Sequence, residues 1–152
     1  SPNYTTKLEK EEMHVAILEG TAYSARITTP NKTIEPVYTV GLEGDNETAN
    51  DFASRGHTVK QMDEGPALIM KRKVNGPKGM VRPAPRLFDK DKQEVSTAVG
   101  NGSQVRVQFN EYDWEYAGKQ GKGLDLQAVQ IVNLVEYKNG DGDEFFSDGE
   151  EF

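Results

Sequence analysis

The residues with the clearest potential for binding chemistry lie in the stretch 103–116. Positions 105, 107 and 109 are apolar and the even positions between them are polar, a period of two that indicates a strand with one buried face. Three aromatic residues fall on even positions, in register with Arg106: Tyr112, Trp114 and Tyr116. A regular strand would place these rings on the polar face, as a platform on which unpaired bases can stack. A β-bulge near residues 110–111 would instead return the rings to the core.

A basic stretch precedes this strand. Residues 71–92 contain eight Lys or Arg residues against two aspartates, and prolines between them favour an extended backbone. Cations spaced in this way can follow a phosphate backbone without reading bases, because binding releases condensed counterions. We predict six phosphate-binding residues: Lys71, Arg72, Lys73, Arg82, Arg86 and Arg106.

Acidic residues are concentrated in the last 14 positions. The formal net charge is −7, and residues 139–152 contribute six negative charges and no positive one. The rest of the chain is therefore almost neutral. The acidic and aromatic residues of this tail are Asp141, Asp143, Glu144, Phe145, Phe146, Asp148, Glu150, Glu151 and Phe152. We predict that the six basic residues above line a groove, that the tail competes with DNA for this groove, and that the tail's phenylalanines anchor it to a protein partner.

Little in the sequence supports catalysis. Cys is absent, and the two histidines, His14 and His57, lie in no metal-binding or nucleophile motif. The glycine-rich segments 76–79 and 118–123 lack the Lys-Ser/Thr ending of a phosphate-binding loop. Residues 139–150 resemble a calcium-binding loop, but its sixth position requires glycine and is Glu144. We predict a protein that is not an enzyme and holds no cofactor or metal ion.

The elements that must position these residues are mainly strands. Val, Ile and Thr are frequent and turn signals recur, which is typical of β proteins. We predict a strand pair or one long bent strand at 13–27, broken near Gly20, and further strands at 35–42, 67–74, 103–116 and 124–137. We also predict a short helix capped by Asp45 and a turn at 118–123. Five to six strands and one short helix predict an OB-fold-like barrel over residues 13–138. It follows a flexible N-terminal segment, 1–12, and precedes the flexible acidic tail, 139–152.

No apolar run approaches the roughly 20 residues needed to cross a bilayer. No secretory signal opens the chain. These two observations predict a soluble cytoplasmic protein with no membrane partner.

Several blocks together resemble a known family. They are RPAPRLFD at 82–89, VGNGSQVRVQFNEYDWEY at 99–116, LDLQAVQIVNLVEY at 124–137, and an acidic tail that ends in Phe152. In these blocks the chain resembles the single-stranded DNA-binding proteins of tailed bacteriophages, of the podovirus replication type. The resemblance implies an OB-fold and nonspecific binding of single-stranded DNA in phage DNA replication, recombination and repair. It also implies a homodimer, a tail that engages the phage DNA polymerase and other replication proteins, and residence in the cytoplasm of the infected bacterial host.

One other class of function stays open from the residues alone. A small β-barrel adaptor or virion protein could use the same basic stretch to bind an acidic protein rather than DNA. Trp114 is the only tryptophan. Its fluorescence should therefore change when single-stranded DNA is added to a DNA-binding protein and stay constant for an adaptor.

Overall fold

The computed structural model describes residues 15–32 and 34–136. Within these ranges the chain forms seven strands and one α-helix. In chain order they are β1 (Val15–Asn31), β2 (Val37–Glu43), α1 (Asn46–Ser54), β3 (Val59–Gln61), β4 (Pro66–Lys73), β5 (Arg86–Phe88), β6 (Ser103–Tyr116) and β7 (Lys119–Asn133). The N-terminal segment 1–12 and the acidic tail 139–152 lie outside the described residues.

Five of these strands close into a barrel. Strands β4, β2, β1, β6 and β7 are neighbours in that order, and each adjacent pair is antiparallel. A parallel pairing of Lys71 with Asp125 joins β4 to β7 and closes the ring. The short strands β3 and β5 flank β4 and β7. The predicted OB-fold-like barrel is confirmed.

The core follows from the alternation of side chains along the strands. Val105, Val107 and Phe109 point inward from β6 and are buried, as their odd positions predict. Helix α1 begins where the Asp45 side chain accepts a hydrogen bond from the Thr48 backbone N–H at 2.7 Å, so the predicted cap is confirmed. Its Phe52 packs on the barrel, with its ring 5.9 Å from that of Phe109. Among the described residues, no helix has the length and apolarity needed to span a membrane.

Residues 15–31 form one long bent strand, which was one of the two alternatives, but the predicted break near Gly20 is wrong. Strand β1 runs through this position, because the absence of a side chain lets β2 pass closely: a Cβ on Gly20 would lie 2.5 Å from the Glu43 carbonyl oxygen. The irregularity falls four residues later, where Ser24 has a φ of 54° and the pairing with β2 shifts register. Asn101 stabilises this bend by accepting a hydrogen bond from the Ser24 backbone N–H at 2.8 Å.

The predicted turn at 118–123 is also wrong in extent. Tyr116 pairs with Lys119, so only residues 117 and 118 form the turn, and both have positive φ, 53° and 82°. Strand β7 therefore begins five residues before the predicted position 124, and it ends at Asn133. The three-residue strand β3 was not predicted, since so short a segment displays no period.

Candidate nucleic-acid interface

The last three aromatic residues of β6, Tyr112, Trp114 and Tyr116, lie on the outer face of the barrel. Pairing of β6 with β7 is uninterrupted from Phe109 to Tyr116, so no bulge occurs near residues 110–111. The nearest register shift precedes Phe109. Of the two alternatives left open by the sequence, the regular strand is the one observed. The exposed fractions of Tyr112, Trp114 and Tyr116 are 44%, 43% and 80%.

Two glycines of β7 lie beneath two of these rings. Trp114 pairs across the hairpin with Gly121, and Tyr112 pairs with Gly123. A Cβ built on either glycine would lie no more than 2.9 Å from three side-chain atoms of the facing residue. Each aromatic side chain therefore occupies the space that a β7 side chain would otherwise fill, with its other side toward solvent.

The rings line a large open groove beside basic residues. The groove encloses about 1160 Å³, above the ~300–1,000 Å³ typical of small-molecule sites, which suits an extended polymer. Six cationic side chains line it against two carboxylates, Glu115 and Asp125. The cations are Lys60, Lys71, Arg72, Lys73, Arg82 and Lys122. The groove is thus positively charged within a chain that is acidic overall.

Four of the six predicted phosphate-binding residues meet in this groove: Lys71, Arg72, Lys73 and Arg82. The Arg72 guanidinium donates two hydrogen bonds to the Asp125 carboxylate, at 2.8 and 3.1 Å, and a third to the Pro83 carbonyl at 3.3 Å. This paired contact ties β4 to β7 beside the parallel closure of the barrel. Lys73 is exposed, and its amine lies 3.9 Å from the Glu35 carboxylate.

The other two predicted residues do not line the groove. Arg86 lies on β5, where it forms an exposed ion pair with Glu94 at 3.2 Å. Arg106 lies on β6 three alternations before Tyr112, and its guanidinium donates to Gln130 at 3.2 Å. Arg86 was predicted to bind phosphate because it lies in the basic stretch 71–92. The turns between β4 and β5 separate it from the groove in space.

Sequence reasoning missed two cations that do line the groove. Lys60 lies on β3, the strand too short to be predicted, and Lys122 lies in the segment taken for a turn. Lys122 pairs with Asp113 at 2.5 Å across the hairpin. Glycine at positions 121 and 123 alternates with polar residues at 120 and 122, which is the period of two of a strand. This alternation was the signal that could have placed Lys122 on a strand.

A charged cluster holds helix α1 against the base of the hairpin. His57 Nε2 lies 2.6 Å from Glu111 Oε2, and Arg55 donates to both oxygens of that carboxylate at 3.2 Å. Burial alone would raise the pKa of Glu111, but the hydrogen bonds from His57 and Arg55 outweigh burial and lower it. Glu111 is therefore an anion at neutral pH, and it fixes the end of the groove formed by residues 57–60 relative to β6.

The phenol of Tyr112 stays neutral in the groove. Burial raises the pKa of Tyr112, and the negative charge of Asp125 raises it further, while Arg82 lowers it only in part. A neutral ring adds no charge that would repel a phosphate. The arrangement thus combines uncharged stacking surfaces with separate cationic groups.

Comparisons with known proteins agree on one fold. No protein-family model matches the chain, and no curated protein sequence matches it. Among solved structures, gp2.5, a single-stranded DNA-binding protein encoded by bacteriophage T7, is 15% identical with a TM-score of 0.62, over 85% of this chain and 96% of that one. The single-stranded DNA-binding protein of bacteriophage Enc34, in complex with single-stranded DNA, is 11% identical with the same TM-score, over 84% and 91%. A C-terminal truncation of the Enc34 protein aligns equally well, at 10% identity. The chain therefore has the fold of bacteriophage single-stranded DNA-binding proteins.

Proposed function

We propose that this protein binds single-stranded DNA without sequence preference, in the groove between β4 and the β6–β7 hairpin. The observation that carries the proposal is the meeting of two half-exposed aromatic side chains with six cations in one groove. Aromatic rings accept any base, because every base has a π-face, and the cations contact the backbone that all sequences share. The likeness to a protein solved in complex with single-stranded DNA supports the same function.

The spacing of the rings favours an unstacked single strand. Residues two apart on a strand lie about 6.8 Å apart, and Tyr112 and Trp114 are two apart on β6. Successive nucleotides of one strand of duplex DNA rise only about 3.4 Å. A strand that places one base on each ring must therefore be extended to about twice its duplex rise. Paired bases cannot meet this requirement without melting.

A competition gel shift tests this function. The full chain should bind a labelled single strand more tightly than a duplex of the same length, because duplex bases present no free faces. Affinity for the single strand should fall steeply between low and physiological salt, because each phosphate contact releases counterions. Equal affinity for the two forms of DNA, or an affinity that does not respond to salt, would contradict the proposal.

For the acidic tail, we propose two successive roles in phage DNA replication, recombination and repair. Its six negative charges are attracted to the positively charged groove, so the tail would occupy the groove until DNA displaces it. The released tail would then bind the phage DNA polymerase or other replication proteins through Phe145, Phe146 and Phe152. These roles place the protein, as a monomer or a homodimer, in the cytoplasm of the infected host. Neither role requires the protein to catalyse a reaction.

Deleting residues 139–152 separates these roles. The deletion changes the formal charge from −7 to −1, so DNA binding should tighten, most clearly at low salt where charges are least screened. Phe152→Ala leaves the charge unchanged and is the matched control: it should keep DNA affinity and weaken polymerase binding in a pull-down. A truncated chain that binds DNA no better than the full chain would refute competition. If it also retains the polymerase, the recruitment role fails too.

A further inference from the structure

Gly121 and Gly123 do not need to be glycine for the conformation of their own backbone. Neither has the positive φ that favours glycine, in contrast to Gly118 in the adjacent turn, whose φ is 82°. Both lie within the strand β7, where glycine weakens a sheet because it packs no side chain and loses more chain entropy on folding. Their presence therefore calls for a reason outside their own dihedral angles.

The space above each glycine supplies that reason. A Cβ on Gly121 would lie 2.5 Å from Trp114 Cε2 and 2.9 Å from Nε1, so it would overlap sterically with the indole ring. A Cβ on Gly123 would lie 2.9 Å from Tyr112 Cε1 and closer still to the phenol end of the ring. Real Cβ atoms do not approach other atoms this closely, so any side chain at either position would displace the facing ring.

We propose that Gly121 and Gly123 are positioning residues of the DNA site, which hold Trp114 and Tyr112 against β7 so that each ring presents its outer surface to a base. This inference rests on the proposed binding of single-stranded DNA. The bare backbone covers one side of each ring and leaves the other open, consistent with exposed fractions near two fifths. A ring fixed in this way loses little freedom when a base stacks on it, so more of the stacking energy appears as affinity.

Tyr116 provides an internal comparison. It pairs with Lys119 rather than with a glycine, and its side chain is 80% exposed. No backbone surface holds this ring before DNA arrives, and ordering it would cost entropy. Tyr116→Ala should therefore weaken binding to oligothymidine less than Trp114→Ala does.

The test introduces one methyl group beneath each ring. Gly121→Ala and Gly123→Ala should each weaken binding to oligothymidine by about tenfold, with the salt dependence of affinity unchanged because the phosphate contacts remain. The melting temperature should stay the same or rise slightly, since the half-exposed rings can rotate toward solvent and alanine restricts the unfolded chain. Gly44→Ala is the matched control: its new methyl would meet no atom within 4 Å, so affinity should match the parent protein, while the melting temperature should stay the same or rise slightly as in the other two variants.

A double-mutant cycle identifies the route by which Gly121 acts. In a Trp114→Ala background there is no indole to displace, so adding Gly121→Ala should leave affinity unchanged. A tenfold loss that persists in this background would overturn the positioning role. The positioning role would also be overturned if both glycine variants bound DNA normally while Trp114→Ala lost binding. In that event the DNA-binding proposal stands and only the positioning role fails. If Trp114→Ala and Tyr112→Ala also leave affinity unchanged, the DNA site itself is wrong.

Discussion

Replacing both Tyr112 and Trp114 with alanine is expected to weaken binding to oligothymidine by about 2–6 kcal/mol, since each stacked base contributes about 1–3 kcal/mol. Adjacent rings on one strand can couple, so the combined loss need not equal the sum of the single losses. Fluorescence anisotropy of a labelled oligonucleotide measures the change without relying on tryptophan. Thermal melting should show a folded protein, because both side chains lie on the outer face of the barrel.

Phe109→Ala is the control for this experiment. It lies on the same strand as the two rings, but its side chain is buried against the Phe52 ring of α1. Its truncation should lower the free energy of unfolding by about 3–5 kcal/mol through a core cavity. A double ring variant that loses as much stability as Phe109→Ala would mean that the rings support the fold. A double variant that binds DNA normally would remove the stacking part of the proposal.

Charge removal from the groove is expected to have the second largest effect. In the triple variant Lys71→Gln, Lys73→Gln and Arg82→Gln, the slope of log affinity against log salt should become shallower by about 2, at roughly 0.7 per phosphate contact on a single strand. Affinity at low salt should fall strongly and almost equally for all sequences, because these contacts carry no base information. Arg72 is left unchanged because its guanidinium joins β4 to β7 through Asp125.

The matched control removes charge from the same basic sequence stretch but outside the groove. Lys90→Gln with Lys92→Gln alters two exposed lysines that do not line it. This pair should change the salt slope far less than the triple variant. If the two variants weaken binding equally per charge, general attraction rather than the groove would account for the affinity.

Periodicity in the sequence predicted the strand that matters most. The alternation in residues 103–116 gave both ends of β6, and it placed Tyr112, Trp114 and Tyr116 on the outer face for a regular strand or in the core for a bulged one. Local pattern could not choose between a regular strand and a bulge, because that choice depends on pairing with β7. The OB-fold-like barrel predicted from the strands is confirmed by the closed ring of five strands.

Errors arose where one residue type serves two purposes. Glycines at 118, 121 and 123 together predict a turn, yet only Gly118 lies in one, and the other two make room for rings. Charge proximity along the chain likewise grouped Arg86 with Lys71, although Arg86 lies on β5 with Glu94. The parallel closure between Lys71 and Asp125 joins residues 54 positions apart in sequence, and no local pattern encodes it.

The fluorescence of Trp114 on titration with oligothymidine tests the central claim most directly. Because Trp114 is the only tryptophan, all of the indole emission comes from one wall of the groove. Stacking of a base on the exposed ring should quench or shift this emission in a saturable manner, and added salt should move the midpoint to higher DNA concentration. A duplex of equal length should produce a much smaller change. An emission spectrum that stays constant while oligothymidine saturates the protein would show that DNA does not contact this ring, and would contradict the groove as the binding site.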